Sequence, residues 1–195
     1  MKKRKYQQNT RAEQAQETRQ KIVDAAVKLH EELGPANTSI KAIAETAGVQ
    51  RLTVYRHFPD DISLLEACTS HWFGQHPPPP VSAVDDPIDP KRQTEKTLLA
   101  LYRYYRETER MWFVSLHDVE ELEALQGPMD MAEAYFDSMR DELLKTWKPK
   151  AAIKKQLSMT LRHCLRFSTW RSFKAEKLSD KKIVALVMQW FPGNN

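Results

Sequence analysis

The chain has 195 residues, with 30 Lys and Arg against 26 Asp and Glu and 41% hydrophobic residues, an ordinary balance for one or two small domains with a sizeable core. No stretch approaches the ~18 uninterrupted apolar residues of a membrane span, and no apolar region follows the basic start MKKRKYQQNT, so neither an anchor nor a secretory signal is expected. Two distant cysteines, Cys68 and Cys164, exclude a disulfide framework and a cysteine zinc cluster, and make a reducing cytoplasm the expected compartment.

In chain order, the apolar period is that of helices throughout. Ile22, Ala25, Ala26, Leu29 and Leu33 share one face, then Ile40, Ile43, Ala44 and Ala47, then Leu65, Cys68 and Trp72. Six of the eleven prolines fall in HPPPPVSAVDDPIDP, which predicts a linker or surface loop over residues 76–90. Beyond it, further faces comprise Leu98, Leu101, Tyr102 and Tyr105, and then Ala132, Tyr135, Phe136, Met139 and Leu143. Ile153, Leu157, Leu161, Cys164, Leu165 and Ser168 predict one helix over about 151–175. Ile183, Leu186, Val187 and Trp190 predict another over 179–191, with Ser179 as its N-cap. The five glycines (Gly34, Gly48, Gly74, Gly127 and Gly193) are each expected to end an apolar segment. The chain therefore reads as all-α, with about nine helices.

Residues 38–58, TSIKAIAETAGVQRLTVYRHF, carry the functional signal. Thr38 or Ser39 can cap a short helix that Gly48 ends, and a second short helix follows from about Gln50 to Phe58. Two helices crossing at close range need a small residue at the crossing, a left-handed turn residue, and an aliphatic anchor turned back into the core. Ala44, Gly48 and Val54 meet these demands at helix-turn-helix spacing. The outward face holds Gln50, Arg51, Leu52, Thr53, Tyr55, Arg56 and His57, and no acidic residue occurs from Gly48 to Phe58. Arg pairs with guanine, Gln with adenine, and Leu or Thr meets a thymine methyl, while Tyr, Thr and His hold phosphates.

On these residues, the segment 18–65 resembles the DNA-binding domain of TetR-family transcriptional regulators. The resemblance rests on Ile43–Ala44, Ala47–Gly48–Val49 and Thr-Val-Tyr-Arg-His-Phe at Thr53 to Phe58. It implies a homodimer whose helical C-terminal domain binds a small effector that releases the protein from an operator in double-stranded DNA. By resemblance, Ser39, Lys41, Gln50, Arg51, Leu52, Thr53, Tyr55 and His57 fall on DNA-contacting positions. Two departures stand out. Asp61 replaces the Lys that often reaches a phosphate, and Leu52 occupies a position often held by a small residue.

Charge agrees with this division. Residues 1–58 hold 11 Lys or Arg against 6 Asp or Glu, whereas residues 59–195 hold 19 against 20. The expected organisation is a basic flexible arm over 1–15, the helix-turn-helix domain over 16–60, and a ligand-binding and dimerisation domain over 61–195. The arm, with Lys2, Lys3, Arg4 and Lys5, can lie along the DNA backbone or the minor groove.

The remaining helices carry no motif of comparable specificity. Tyr102, Tyr105, Trp112, Phe113, His117, Tyr135 and Met139 are the expected ligand-site residues, since apolar walls with a few polar groups make a ligand cavity. Leu157, Leu161, Cys164, Leu165, Ser168, Leu186, Val187 and Trp190 are the expected dimer interface, as the family's last two helices pack on their two-fold mate. The fourth helix is expected to relay ligand binding to the reading helices. No HExxH, CxxC, GxSxG or phosphate-loop pattern supports an enzyme, and no cofactor or metal is expected. The competing reading is a helical ligand- or protein-binding module whose helix-turn-helix no longer reads DNA, as the acidic pair Asp60 and Asp61 would permit.

Overall fold

A computed structural model describes residues 2–80 and 89–192, so most of the proline-rich stretch after Pro80 lies outside the described residues. Among them there are ten α-helices and no strand, against the nine expected. They are α1 (Lys2–Leu33), α2 (Ile40–Ala47), α3 (Arg51–His57), α4 (Asp61–Gln75) and α5 (Pro90–Glu107). Then come α6 (Glu109–Asp118), α7 (Gln126–Trp147), α8 (Ala151–Cys164), α9 (Phe167–Ala175) and α10 (Asp180–Val187). Short 3-10 turns occupy Glu123–Leu125 and Met188–Trp190. The chain divides into two compact units, Met1–His76 with Phe113–Met129, and Pro77–Trp112 with Asp130–Asn195.

The first unit is built on α1 to α4. No Gly or Pro interrupts residues 2–33, and α1 runs from Lys2, so the basic run falls in its first turns. Ile22, Val23, Ala25 and Ala26 of α1 pack with Ile43 and Ala44 of α2, Val54 of α3, Phe58, and Leu64 and Cys68 of α4. Leu33, expected on this face, is half exposed because α1 ends beside it. A polar clasp joins α1 to α4. There the His71 Nε2 and Asp24 Oδ1 atoms are 3.0 Å apart, and Gln20 Nε2 donates to Asp24 at 2.8 Å. All of α4 lies in this unit, whereas the residues of α6 divide between the two units after Trp112.

The second unit centres on a cluster of aromatic rings. Tyr105 meets Trp112, Phe136, Phe167 and Trp170 at centroid distances of 5.3 to 6.2 Å. At its edge, Arg106 grips Asp180 with two bonds of 2.9 and 2.6 Å, and Trp170 Nε1 donates to the same carboxylate at 3.0 Å.

The helix expected over 151–175 is broken at Leu165–Arg166. The break frees carbonyls at the end of α8, and side chains take them up. The Tyr102 hydroxyl donates to Cys164 O at 2.8 Å, the Tyr105 hydroxyl to Leu165 O at 2.6 Å, and Thr169 Oγ1 to His163 O at 2.7 Å. Arg166 takes an extended conformation and opens α9. The expected cap Ser179 does start α10, accepting from Lys182 N at 3.4 Å. Of the glycines, Gly34 and Gly48 follow helices with positive φ, but Gly74 lies within α4 and Gly127 opens α7. Gly193 lies outside the described residues.

Candidate nucleic-acid interface

The helix-turn-helix is set by local chemistry. Ser39 caps α2, its Oγ accepting from Ala42 N at 3.2 Å, while Thr38 turns its hydroxyl to Gly34 O at 2.8 Å. Gly48 ends α2 in the left-handed region (φ 67°, ψ 33°), and a Cβ there would meet no atom within 4 Å. The turn therefore requires glycine for its backbone angle and not for space. Asp60 caps α4, accepting from Ser63 N at 2.7 Å, and that bond holds its carboxyl below the usual range.

Between these caps, α3 turns Val54 fully inward, and Phe58 just beyond it is also buried, with the Arg19 guanidinium 4.7 Å above its ring. The opposite face is open. Leu52 is 68% and Tyr55 44% exposed, and Gln50, Arg51 and Arg56 are exposed around them. Gln50 precedes α3 and makes no capping bond with its side chain, which leaves the amide available to a base edge. Lys41 is exposed on α2, 3.9 Å from Glu45, an ion pair that solvent screens almost completely.

Thr53 and His57 are only half-buried, because they line a crevice of about 300 Å³ with Gln14, Ala15, Thr18 and Arg56. Among the described residues, no acidic side chain lines it. Sequence reasoning missed Gln14 and Thr18, which lie outside the motif and reach it only through the packing of α1. Asp61, at the position of the missing Lys, is exposed in the first turn of α4.

The residues expected to bind a ligand are only partly brought together. Tyr102, Tyr105 and Met139 are fully buried in the second unit, and the two hydroxyls are committed to the α8–α9 break. The Tyr135 hydroxyl donates to Pro79 O. Phe113 and His117 fall in the first unit, stacked on each other with His117 exposed. Among the described residues of the second unit, the buried polar atoms without a partner are instead the Tyr104 hydroxyl and Trp112 Nε1. Burial pushes the Tyr104 hydroxyl up to about 12, with the adjacent Trp112 working slightly against that rise. Tyr104 escaped sequence reasoning because nothing distinguishes it from its neighbours Tyr102 and Tyr105.

The expected interface residues Leu157, Leu161, Cys164, Leu165 and Val187 are all at most 2% exposed within the single chain, so they pack its own core and offer no surface. From Arg166 onward, α9 runs beside α8 and α10. Ser168, Leu186 (38%) and Trp190 (43%) are exposed, together with Met159 (64%). Among the described residues, no group of three or more His, Cys, Asp or Glu is placed to hold a metal ion, and no helix is long and apolar enough to cross a membrane.

Residues 22–68 match the family model described as bacterial regulatory proteins, tetR family. The transcriptional regulator TtgR of Pseudomonas putida is 35% identical over 91 residues, covering 46% of this chain and 43% of that protein. The chain thus spans less than half the length of the curated relatives it matches. The fold extends further. A TetR-like transcriptional regulator from Rhodococcus sp. RHA1 superposes with a TM-score of 0.61 at 17% identity, over 89% of this chain and 92% of that one. The multidrug binding protein EbrR, solved with imidazole, gives 0.59 at 16% identity over 91% of each chain.

Proposed function

We propose that this chain, which belongs to the TetR family of bacterial regulatory proteins through residues 22–68, is a ligand-responsive transcriptional regulator. In this reading it is a homodimeric repressor that a small molecule releases from a palindromic operator. The observation that carries the reading is the open, acid-free face of α3, held outward by the burial of Val54 and Phe58. Arg51, Gln50 and Leu52 read base edges. Ser39, Lys41, Thr53, Tyr55 and His57 hold phosphates, and the crevice beside His57 adds Gln14 and Arg56 as donors along the backbone, while Thr18 donates its hydroxyl proton to Gln14 O. One recognition helix reads few base pairs, so two-fold pairing of half-sites follows from the task. The exposed apolar residues Met159, Leu186 and Trp190 are the surface offered to the mate. An effector of the second unit meets aromatic walls, with Tyr104 and Trp112 as the polar groups that fix its orientation. Release requires that it bind the non-DNA-binding state more tightly.

Substitution on the reading face tests this. Arg51→Ala is expected to cost about 1–3 kcal/mol and to relax preference at one base pair, whereas Tyr55→Phe weakens all sequences alike. Affinity and preference both unchanged in Arg51→Ala would remove α3 from the reading role.

A further inference from the structure

The connection between α1 and α2 is held by a side chain outside the reading face. Asp118, the last residue of α6, is 3% exposed, and its Oδ2 accepts a hydrogen bond from Ala36 N at 3.0 Å. Gly34 lies beside it with φ 91°, its N–H donating to His30 O at 2.9 Å to close α1. A Cβ on Gly34 would stand 2.5 Å from the same Oδ2. The carboxylate therefore occupies the space where any other residue's side chain would begin.

The loop passes this anchor onward. Gly34 O accepts from Asn37 N at 3.3 Å and from the Thr38 hydroxyl at 2.8 Å, and the next residue, Ser39, caps α2. A continuous chain of hydrogen bonds and adjacent residues thus runs from the Asp118 carboxylate to the first turn of the helix-turn-helix. A buried carboxylate is costly unless its bonds are made, so the anchor holds one geometry rather than a range.

We propose that Asp118 is a positioning residue for DNA binding, a staple from α6 that fixes the α1–α2 loop and with it the start of the reading motif. The inference rests on the DNA-binding reading above. Residues Glu109–Trp112 of α6 belong to the second unit, where Glu109 pairs with Lys174 and Trp112 joins the aromatic cluster. Residues from Phe113 to Asp118 belong to the first.

The test uses the full chain and the DNA duplex that the wild-type protein selects from a random-sequence pool. Failure to select any duplex would defeat the DNA-binding reading itself, before the staple is examined. On the selected duplex, Asp118→Asn keeps an acceptor oxygen and should bind within about threefold of wild type. Asp118→Ala should lose roughly tenfold in affinity, and the Ala36 amide should exchange with solvent at least about tenfold faster. The slope of affinity against salt should stay unchanged, because no phosphate contact is removed. Gly34→Ala should weaken binding in the wild-type background, and adding Asp118→Ala should then cost less than it does alone, because it relieves the clash. If Asp118→Ala does not fold, Asp118→Ser, too short to reach Ala36 N, carries the same expectations. Wild-type affinity in the Ala or Ser variant, or independent addition of the Gly34 and Asp118 effects, would overturn the staple.

Discussion

At the scale of single residues, His30 shows how burial becomes a pH dependence. It is 7% exposed, and burial lowers its imidazole to about 4, with the Asp118 charge pulling the other way. The folded value lies below the unfolded one near 6.5, so the unfolded chain binds the extra proton first as pH falls. Stability is therefore complete above about pH 6.5 and declines toward pH 4. Between pH 7.5 and 5, urea unfolding of wild type should lose about 2 kcal/mol more than His30→Leu; equal losses would place His30 outside the core. The sequence places residue 30 in the helix that Gly34 ends but does not show that Asp118, far along the chain, lies near enough to act on it. The two thiols follow the same physics. Burial pushes Cys68 and Cys164 up to about 12, which keeps both as protonated, unreactive thiols near neutral pH.

At the scale of elements, what was legible depended on how local the cause was. Ser39, Gly48, Asp60 and Ser179 act within one turn of their own helices, and each takes the capping or turn role that its residue type suggests. The break between α8 and α9 has a remote cause, in hydroxyls 60 and 62 residues away along the chain. Apolar periodicity runs through residues 164–168 without a Gly or Pro, so one long helix was the natural reading. Tyr102 and Tyr105, expected at a ligand, commit their hydroxyls to this break, and five residues expected at an interface are buried within the single chain. Periodicity reports that a face is buried, not what buries it. Tyr105→Phe leaves a carbonyl unpaired in the core and should cost about 1–3 kcal/mol in thermal or urea unfolding. A neutral result would mean that the break does not depend on the tyrosine.

At the scale of the whole molecule, a modest net charge of +4 conceals a division between basic residues 1–58 and a near-neutral remainder. The all-helical fold and the reading motif were legible because both rest on periodicity and on a motif of high specificity. The proposed effector site was not, since aromatic residues in a helical body serve core and cavity alike. DNA affinity against salt tests the central claim most directly. A regulator whose two reading heads make ~6–10 phosphate contacts should lose ~10³–10⁵ in affinity for its selected duplex between 50 and 200 mM salt. Weak binding with no salt slope would contradict the account and leave a helical module that does not read DNA.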